Sequence, residues 1–229
     1  MLNATQIEMN KQEFLNLIER LSSSRNNPHD DWPALIDYLT NSDFFTAPAS
    51  TMFHANYAGG LCEHSLNVYH TMIDLIEVYR KQVPDLLPFT WESVAIVSLF
   101  HDISKTNLYE KTFKNVKKYW DGNNATLSEY NKKDEGGYFK WEAVSSYTKK
   151  DLLESFTYGN HEESSVLILQ EYLALSKDEI IAILHHTGSI NDDFNLSKQF
   201  SFVYEKYPLA SLLHLADTFA TFLIEKTEK

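Results

Sequence analysis

The sequence predicts an all-α fold: a helical bundle in one domain that carries a small β-hairpin insertion. Apolar residues recur at helical spacing along most of the 229 residues, and only 7 Gly and 6 Pro interrupt the chain. Alternation with a period of two is confined to the middle of the chain, around GYFKWEAV, with KNVKKYW as the expected partner strand. No internal repeat or long linker is evident, so we expect a single domain over residues 1–229.

Capping signals locate several helix starts. Thr90 is a plausible cap for TWESVAIVSLFHD, and two capping boxes precede later helices, Asn160 with Glu163 and Ser176 with Glu179. We assign residues 1–50 to N-terminal helices, about 53–222 to the core of the domain, and 108–148 to the β-hairpin insertion.

A long helix is expected from about Leu61 to Lys81. Within it His64 shares the apolar face with Leu61 and Val68, so its imidazole should point inward.

The last long helix should open at Pro208, because proline suits the first helical turn. Leu213, Ala220 and Leu223 repeat at helical spacing in it, and Asp217 falls beside them. A carboxylate that faces a core needs a partner or a metal ion.

The dipeptide His101-Asp102 ends a helix that is apolar nearly all round from 94 to 100. The same dipeptide occurs at His29-Asp30, in NNPHDDWP, where the aspartates most simply cap a helix. The two occurrences are therefore predicted to differ, and only the pair at 101–102 is expected to carry chemistry.

Two imidazoles and two carboxylates would meet if these helices packed together: His64, His101, Asp102 and Asp217. Such a mixed nitrogen and oxygen set binds Mn, Fe, Co, Ni or Zn ions. Ligands on separate helices suit a site in the core of a bundle. Without a metal, each buried polar group left unsatisfied would cost about 1–3 kcal/mol.

The ordered motifs GGLCEHS, FHDISK, GNHEES, LHHTG and LHLADT resemble the HD-domain metal-dependent phosphohydrolase superfamily over roughly Phe53 to Phe222. The stretch FHANYAGGLCEHS is similar to HD-domain 3′ to 5′ exoribonucleases. HDISK and GNHEES are also similar to small HD proteins of phages and prophages.

This resemblance implies an enzyme that binds one or two divalent ions (Mn, Fe, Co, Ni, Zn or Mg) and activates water for attack on phosphorus. The first ion would be held by His64, His101, Asp102 and Asp217. The second would be held by His161 and one or both of His185 and His186, with Asp102 bridging. Asp102 and Lys105 would be the catalytic residues, and Lys105 and His54 would contact substrate.

Charge and composition narrow the expected partners. The net charge of −12 disfavours long nucleic acid, so we expect a small phosphorylated substrate such as a nucleotide. Residues 105–150 differ from the acidic chain as a whole, because they contain 10 basic and 6 acidic residues. The same segment contains nine aromatic residues. It forms either a substrate lid or an exposed hairpin with its own small apolar cluster.

The N-terminus does not resemble a signal peptide, no run of 18 apolar residues occurs, and Cys62 is the only cysteine. We therefore expect a cytoplasmic protein with no membrane partner. Three alternatives to nucleotide hydrolysis stay open: an HD-type exoribonuclease or oligonucleotide phosphodiesterase, a di-iron oxygenase with similar ligands, and a non-catalytic nucleotide-binding module.

Overall fold

The computed structural model describes residues 1–82, 89–122, 129–151, 158–188 and 201–225. The predicted insertion includes residues 123–128, and the predicted core includes residues 83–88, 152–157 and 189–200. These stretches lie outside the described residues.

The described part of the chain is mostly helical, as predicted. Its α-helices are α1 (Ala4–Ser24), α2 (Trp32–Asn41), α3 (Gly60–Tyr79), α4 (Trp91–Phe100), α5 (His161–Gln170), α6 (Lys177–Leu184), α7 (residues 201–206) and α8 (Pro208–Phe219). A 3₁₀ turn, Ile103–Lys105, follows α4, and a π-helical turn, Ala220–Ile224, continues α8.

The predicted caps are confirmed. The side chain of Thr90 accepts from the backbone N–H of Ser93, and complete capping boxes form at the starts of α5 and α6. Asp31 caps α2 by accepting from the N–H of Ala34, so the segment that contains His29-Asp30 does lie at a helix start. These side chains satisfy backbone donors that have no partner inside the helix.

Helix α4 runs through the core. All its residues from 94 to 100 are buried, and it contacts α1, α3, α6 and α8. Phe100 packs edge-on against Phe14 with ring centroids 5.7 Å apart, and Phe14 also contacts Phe44 and Phe45. The end of α4 is therefore held on several sides by close packing.

An ion-pair network joins the N-terminal helices to α6. Arg25 lies 2.8 Å from Asp30 and 2.7 Å from Glu179, and it also donates to the carbonyl of Ala174 at 2.6 Å. Glu179 accepts from Ser93 of α4 as well, at 2.8 Å. The network fixes the start of α6, the helix that leads to His185 and His186.

The predicted hairpin is present as a three-stranded antiparallel sheet. Its strands are β1 (Tyr109–Tyr119), β2 (Lys132–Asp134) and β3 (Gly137–Lys149), in the order β1-β3-β2. The short β2 was not predicted. In the described residues the strands pack mainly against one another, so β1 and β3 form a ribbon at the side of the bundle.

The end of the last helix departs from prediction. Leu223, expected on the buried stripe, is 56% exposed, whereas Glu225 is 6% exposed. The π-helical turn explains the difference, because each residue in it turns less about the axis than an α-helical residue does. The change of register turns Leu223 outward and Glu225 inward.

Candidate metal centre

The turn before α3 determines where His64 lies. Gly59 has a left-handed backbone with φ 82, and a Cβ on Gly60 would lie 2.0 Å from the carbonyl oxygen of Ala55. Only glycine fits position 60, because the obstructing atom belongs to the backbone. The loop thus packs tightly on the first turn of α3, and His64 in that helix is fully buried.

The end of α4 provides the next two side chains. Nδ1 of His101 lies 2.9 Å from the carbonyl oxygen of Ser98. A carbonyl only accepts, so Nδ1 carries the proton and Nε2 can offer a lone pair to the centre. Asp102 follows directly with 2% exposure.

His64, His101 and Asp217 converge from α3, the end of α4, and α8. The Nε2 atoms of the two histidines are 3.1 Å apart, and Nε2 of His64 is 3.2 Å from Oδ1 of Asp217. Ligand atoms from all three lie within 4.8 Å of one another, a spacing that a single cation can span. We refer to these three residues as the first group.

Asp102 lies between the first group and a second pair of histidines. Its Oδ2 is 3.6 Å from Nε2 of His64 and 3.5 Å from Nε2 of His101. Its Oδ1 is 3.6 Å from Nε2 of His161 and 3.7 Å from Nε2 of His186. One carboxylate thus presents an oxygen to each side.

The orientation of His161 depends on contacts at the start of α5. Ser104 donates to the backbone carbonyl of His161 at 2.8 Å, which ties α5 to the segment after Asp102. Nδ1 of His161 lies 3.2 Å from Oε2 of Glu162, and Oε1 of Glu162 accepts from the hydroxyl of Thr187. The His161 side chain is 35% exposed, so this side of the centre opens to solvent.

His186 is held from two directions. Nδ1 of its ring donates to the carbonyl of Ile183 at 2.7 Å, so Nε2 again faces the centre with a lone pair. Nδ1 of His214 donates to the backbone carbonyl of His186 at 2.6 Å, and the His214 ring stacks on Tyr204. His186 is 1% exposed and is therefore rigidly placed.

Carboxylates set the protonation of the first group. Burial by itself lowers the pKa of His64, but Glu225 and Asp217 outweigh it and raise that pKa to about 10. Burial raises the pKa of Asp217, yet His64 holds it well below its usual range. His64 without a metal therefore carries a proton that a metal ion would displace.

The charges beside Asp102 keep it ionised. Burial raises its pKa, but the Lys105 ammonium, 2.6 Å from Oδ2, and His101 hold that pKa well below the usual range. Burial lowers the pKa of His161 to about 4, so its ring is neutral near pH 7 and can act as a ligand.

Glu225 is a residue of the centre that sequence reasoning missed. Its two oxygens lie 3.0 and 3.1 Å from Nδ1 of His64, and Nδ2 of Asn67 donates to it at 2.9 Å. A carboxylate on the far nitrogen of a liganding histidine fixes the ring and raises its basicity. Glu225 lies eight positions after Asp217, but no local motif marks it, and its inward direction depends on the π-helical turn.

His54 lies beside the first group. Its ring centroid is 4.7 Å from that of His64, and burial lowers its pKa to about 4. Both ring nitrogens are shielded from solvent and lack a hydrogen-bond partner within the described part of the chain. The Ser50 hydroxyl holds this loop by donating to the backbone carbonyl of His54 at 2.7 Å.

Most of the predicted site residues do meet. The structure brings together His54, His64, His101, Asp102, Lys105, His161, His186 and Asp217. Of the adjacent pair, His186 and not His185 belongs to a group with ligand spacing among the described residues. His185 instead ends α6, where its carbonyl accepts from Tyr204 at 2.8 Å. The other His-Asp pair is separate, with Asp30 bound to Arg25.

The donor set could hold a metal ion, because its ligand atoms lie within 4.8 Å of one another in buried groups. Oδ1 of Asp102 is buried without a hydrogen-bond partner among the described residues, which costs about 1–3 kcal/mol unless a cation takes that place. In the first group the Nε2 atoms of His64 and His101 are 3.1 Å apart; without a metal the proton on His64 occupies this contact, and a metal ion would displace it. Imidazoles with carboxylates suit Mn, Fe, Co, Ni or Zn.

No protein-family model matches the chain, and searches among curated proteins and solved structures found no significant match. Within the described residues, no helix combines the length and the apolar character needed to cross a bilayer.

Proposed function

We propose that the chain is a metal-dependent phosphohydrolase of the HD-domain type, acting in the cytoplasm on a nucleotide or related phosphoester. One observation carries the proposal: the Asp102 carboxylate lies between two sets of histidines, with one oxygen directed to each. The ordered resemblance of the motifs to HD-domain phosphohydrolases supports the same assignment.

The residues divide into two ligand sets that share Asp102. His64, His101, Asp102 and Asp217 would hold a first ion, and Asp102, His161 and His186 would hold a second. Divalent ions in such a site polarise a phosphoryl oxygen and lower the pKa of a bound water to near neutrality.

Lys105 is placed to act on the substrate as well as on Asp102. Its ammonium lies 2.6 Å from Oδ2 of Asp102, while the side chain remains 13% exposed. Burial lowers its pKa, but Asp102 outweighs burial and raises it, so the charge persists at neutral pH. A fixed cation beside the ligands stabilises negative charge as it grows on a phosphoryl oxygen.

His54 would also contact the substrate. Its neutral ring can donate one hydrogen bond and accept another, and neither nitrogen is committed within the described residues. Its place next to His64 puts it within reach of a phosphoester bound at the first group.

Cleavage of short oligonucleotides is the second candidate, and one observation favours it. One face of the ribbon beside the centre carries exposed aromatic rings interleaved with lysines, whereas the chain as a whole has a net charge of −12. A free nucleotide needs no surface of that length, but a strand could use it.

A panel of phosphorylated substrates, screened with several divalent ions and read by product identity, tests the proposal. Release of inorganic phosphate or a nucleoside from free nucleotides supports nucleotide hydrolysis, and shortening of labelled oligoribonucleotides supports the second candidate. A strict requirement for iron and oxygen would contradict both. Nucleotide binding without turnover across all ions would identify a binding module instead.

A further inference from the structure

Both faces of the ribbon carry lysines, but most of its aromatic residues lie on one face. In the antiparallel register Lys117 pairs with Trp141, and Lys132 and Tyr119 both pair with Phe139, so these side chains share one face. Phe113 and Lys111 lie on that face too, four and six residue pairs from Lys117 toward the bundle. We call it the stacking face and define it by Lys111, Phe113, Lys117, Tyr119, Lys132 and Trp141.

The aromatic rings of the stacking face are open to solvent. Phe113 is 76% exposed, Trp141 48% and Tyr119 42%. Positions on the opposite face, such as Val116 and Val144, are only partly exposed although they are small and aliphatic. Tyr119 and Trp141 pack on Phe139, with ring centroids 5.7 and 5.6 Å apart, yet both keep large exposed surfaces. Exposed apolar surface that is gathered on one face marks a candidate binding site.

Lysines alternate with these rings. The ammonium of Lys117 lies 4.7 Å from the Phe139 ring centroid, and that of Lys132 lies 5.8 Å from the Trp141 ring. Phe139 itself is 5% exposed beneath them and serves as the floor of a small cluster. Lys117 also forms an ion pair with Asp134, which lies on the same face and accepts from the Tyr119 hydroxyl. Lys111 and Lys132 add positive charge to this face, in a chain whose net charge is −12.

We propose that the stacking face binds single-stranded nucleic acid, with unpaired bases stacked on Phe113 and Trp141 and phosphates paired with the lysines. Bases present a flat π surface and the backbone presents regularly spaced anions, and both features match this face. A duplex buries its bases in the helix and offers the phosphates alone. A face that binds bases by stacking as well as phosphates by charge should therefore prefer single-stranded nucleic acid to a duplex.

The length and position of the ribbon suit a strand of several nucleotides. Ten residue steps from Tyr109 to Tyr119 span about 34 Å at strand geometry. The base of the ribbon adjoins the metal centre, because the N–H of Leu108 donates to the carbonyl of Lys105 at 3.4 Å. A strand on the stacking face would lead toward Asp102; this last step rests on the proposed hydrolase function, whereas the binding itself does not.

Binding is tested separately from hydrolysis by working in excess chelator. Short fluorescein-labelled oligouridylate and oligodeoxythymidylate are titrated with the full chain and followed by anisotropy, with a duplex of equal length and inorganic polyphosphate as comparisons. Phe113→Ala and Trp141→Ala should each weaken single-strand binding about fivefold or more, the effect of losing one stacked base. Phe113 is largely exposed, so its replacement leaves the fold intact.

Tyr138→Ala is the matched control, because Tyr138 is 41% exposed on the same strand but points to the opposite face. It should leave the affinity unchanged. Comparison of the affinities for oligouridylate and oligodeoxythymidylate shows whether RNA or DNA is preferred. Equal weakening by Tyr138→Ala, equal affinity for the duplex or polyphosphate, or no binding at low salt would each overturn the proposal.

The outcomes also separate the two proposals. Strand binding in chelator with no hydrolysis of any substrate after metal addition would leave the stacking face standing and contradict the hydrolase. Hydrolysis of nucleotides without any strand binding would support the hydrolase and contradict the stacking face.

Discussion

The carboxylate of Glu225 lies 3.0 and 3.1 Å from Nδ1 of His64, and both residues are nearly inaccessible, at 6% and 0% exposure. Nδ1 therefore donates to the carboxylate, and Nε2 is directed at His101 and Asp217. Asn67 holds the carboxylate in turn through a 2.9 Å hydrogen bond. A residue outside the ligand set thus determines how His64 presents its nitrogen.

Replacing Glu225 with glutamine should weaken metal binding while keeping the fold. The amide preserves the shape but removes the charge that supports His64, so we expect affinity for Mn²⁺ or Zn²⁺ to fall about 10-fold to 100-fold. Competition with a chromophoric chelator measures the change.

Glu13→Gln provides the control for that measurement, since Glu13 and His70 form a similar pair at 2.7 Å on the surface, with side chains 47% and 54% exposed. This variant should bind metal as the wild type does. If Glu225→Gln also binds metal with unchanged affinity, Glu225 serves packing alone.

The two adjacent histidines should respond differently to substitution. His186→Ala removes a nitrogen that faces Asp102 at 3.7 Å, so bound metal should fall by about one ion per chain if both sets are filled. His185→Ala should keep the full complement. Elemental analysis of dialysed protein checks both variants. Loss of metal from the His185 variant alone would show that His185, and not His186, is the ligand.

Metal binding should release a proton from His64. Burial lowers its pKa, but Glu225 and Asp217 raise it from the usual 6.5 to about 10. A raised pKa stabilises the metal-free fold below pH about 6.5, and this contribution is lost as the pH rises through about 10. Metal affinity should therefore increase with pH over that window.

Calorimetry in two buffers of equal pH and different ionisation heat measures this proton. At pH 8 the binding heats should differ by the amount expected for about one proton released per first ion. Equal heats in both buffers would show that His64 is already neutral.

The core around α4 should be sensitive to lost volume. Phe14 is fully buried and contacts Phe44, Phe45 and Phe100, so Phe14→Ala should lower the free energy of unfolding by about 3–5 kcal/mol. Exposed Phe113 on the ribbon should change it by about 0.5 kcal/mol or less on the same substitution. Urea denaturation of both variants provides the comparison, and similar losses would contradict the packing described.

Local sequence signals predicted much of this molecule. The capping boxes at Asn160 and Ser176 lie at the true helix starts, because capping depends on residues only three positions apart. Helical periodicity correctly directed His64 and Asp217 inward, since each lies inside a regular helix. The ribbon followed from alternation around GYFKWEAV in β3, with KNVKKYW in β1 as the predicted partner strand.

Features that depend on irregular backbone were not predictable in this way. Leu223 and Glu225 exchange sides at the π-helical turn, so extending the regular period through Ala220 misplaces both. The choice between His185 and His186 depends on where α6 ends, since neighbouring residues on a helix differ by about 100° in direction. Tertiary contacts, such as the hydrogen bond from His214 to the His186 carbonyl, settle that orientation.

Asp102 provides the most direct test, because one side chain lies between both ligand sets. Asp102→Asn keeps the shape and weakens the ligand, and His29→Ala alters the other His-Asp pair as a control. Bound metal and turnover of the best substrate are measured on the same samples. We predict that Asp102→Asn loses most of both while His29→Ala retains them. Full metal content with full activity in Asp102→Asn would contradict the assignment of Asp102 as the shared ligand.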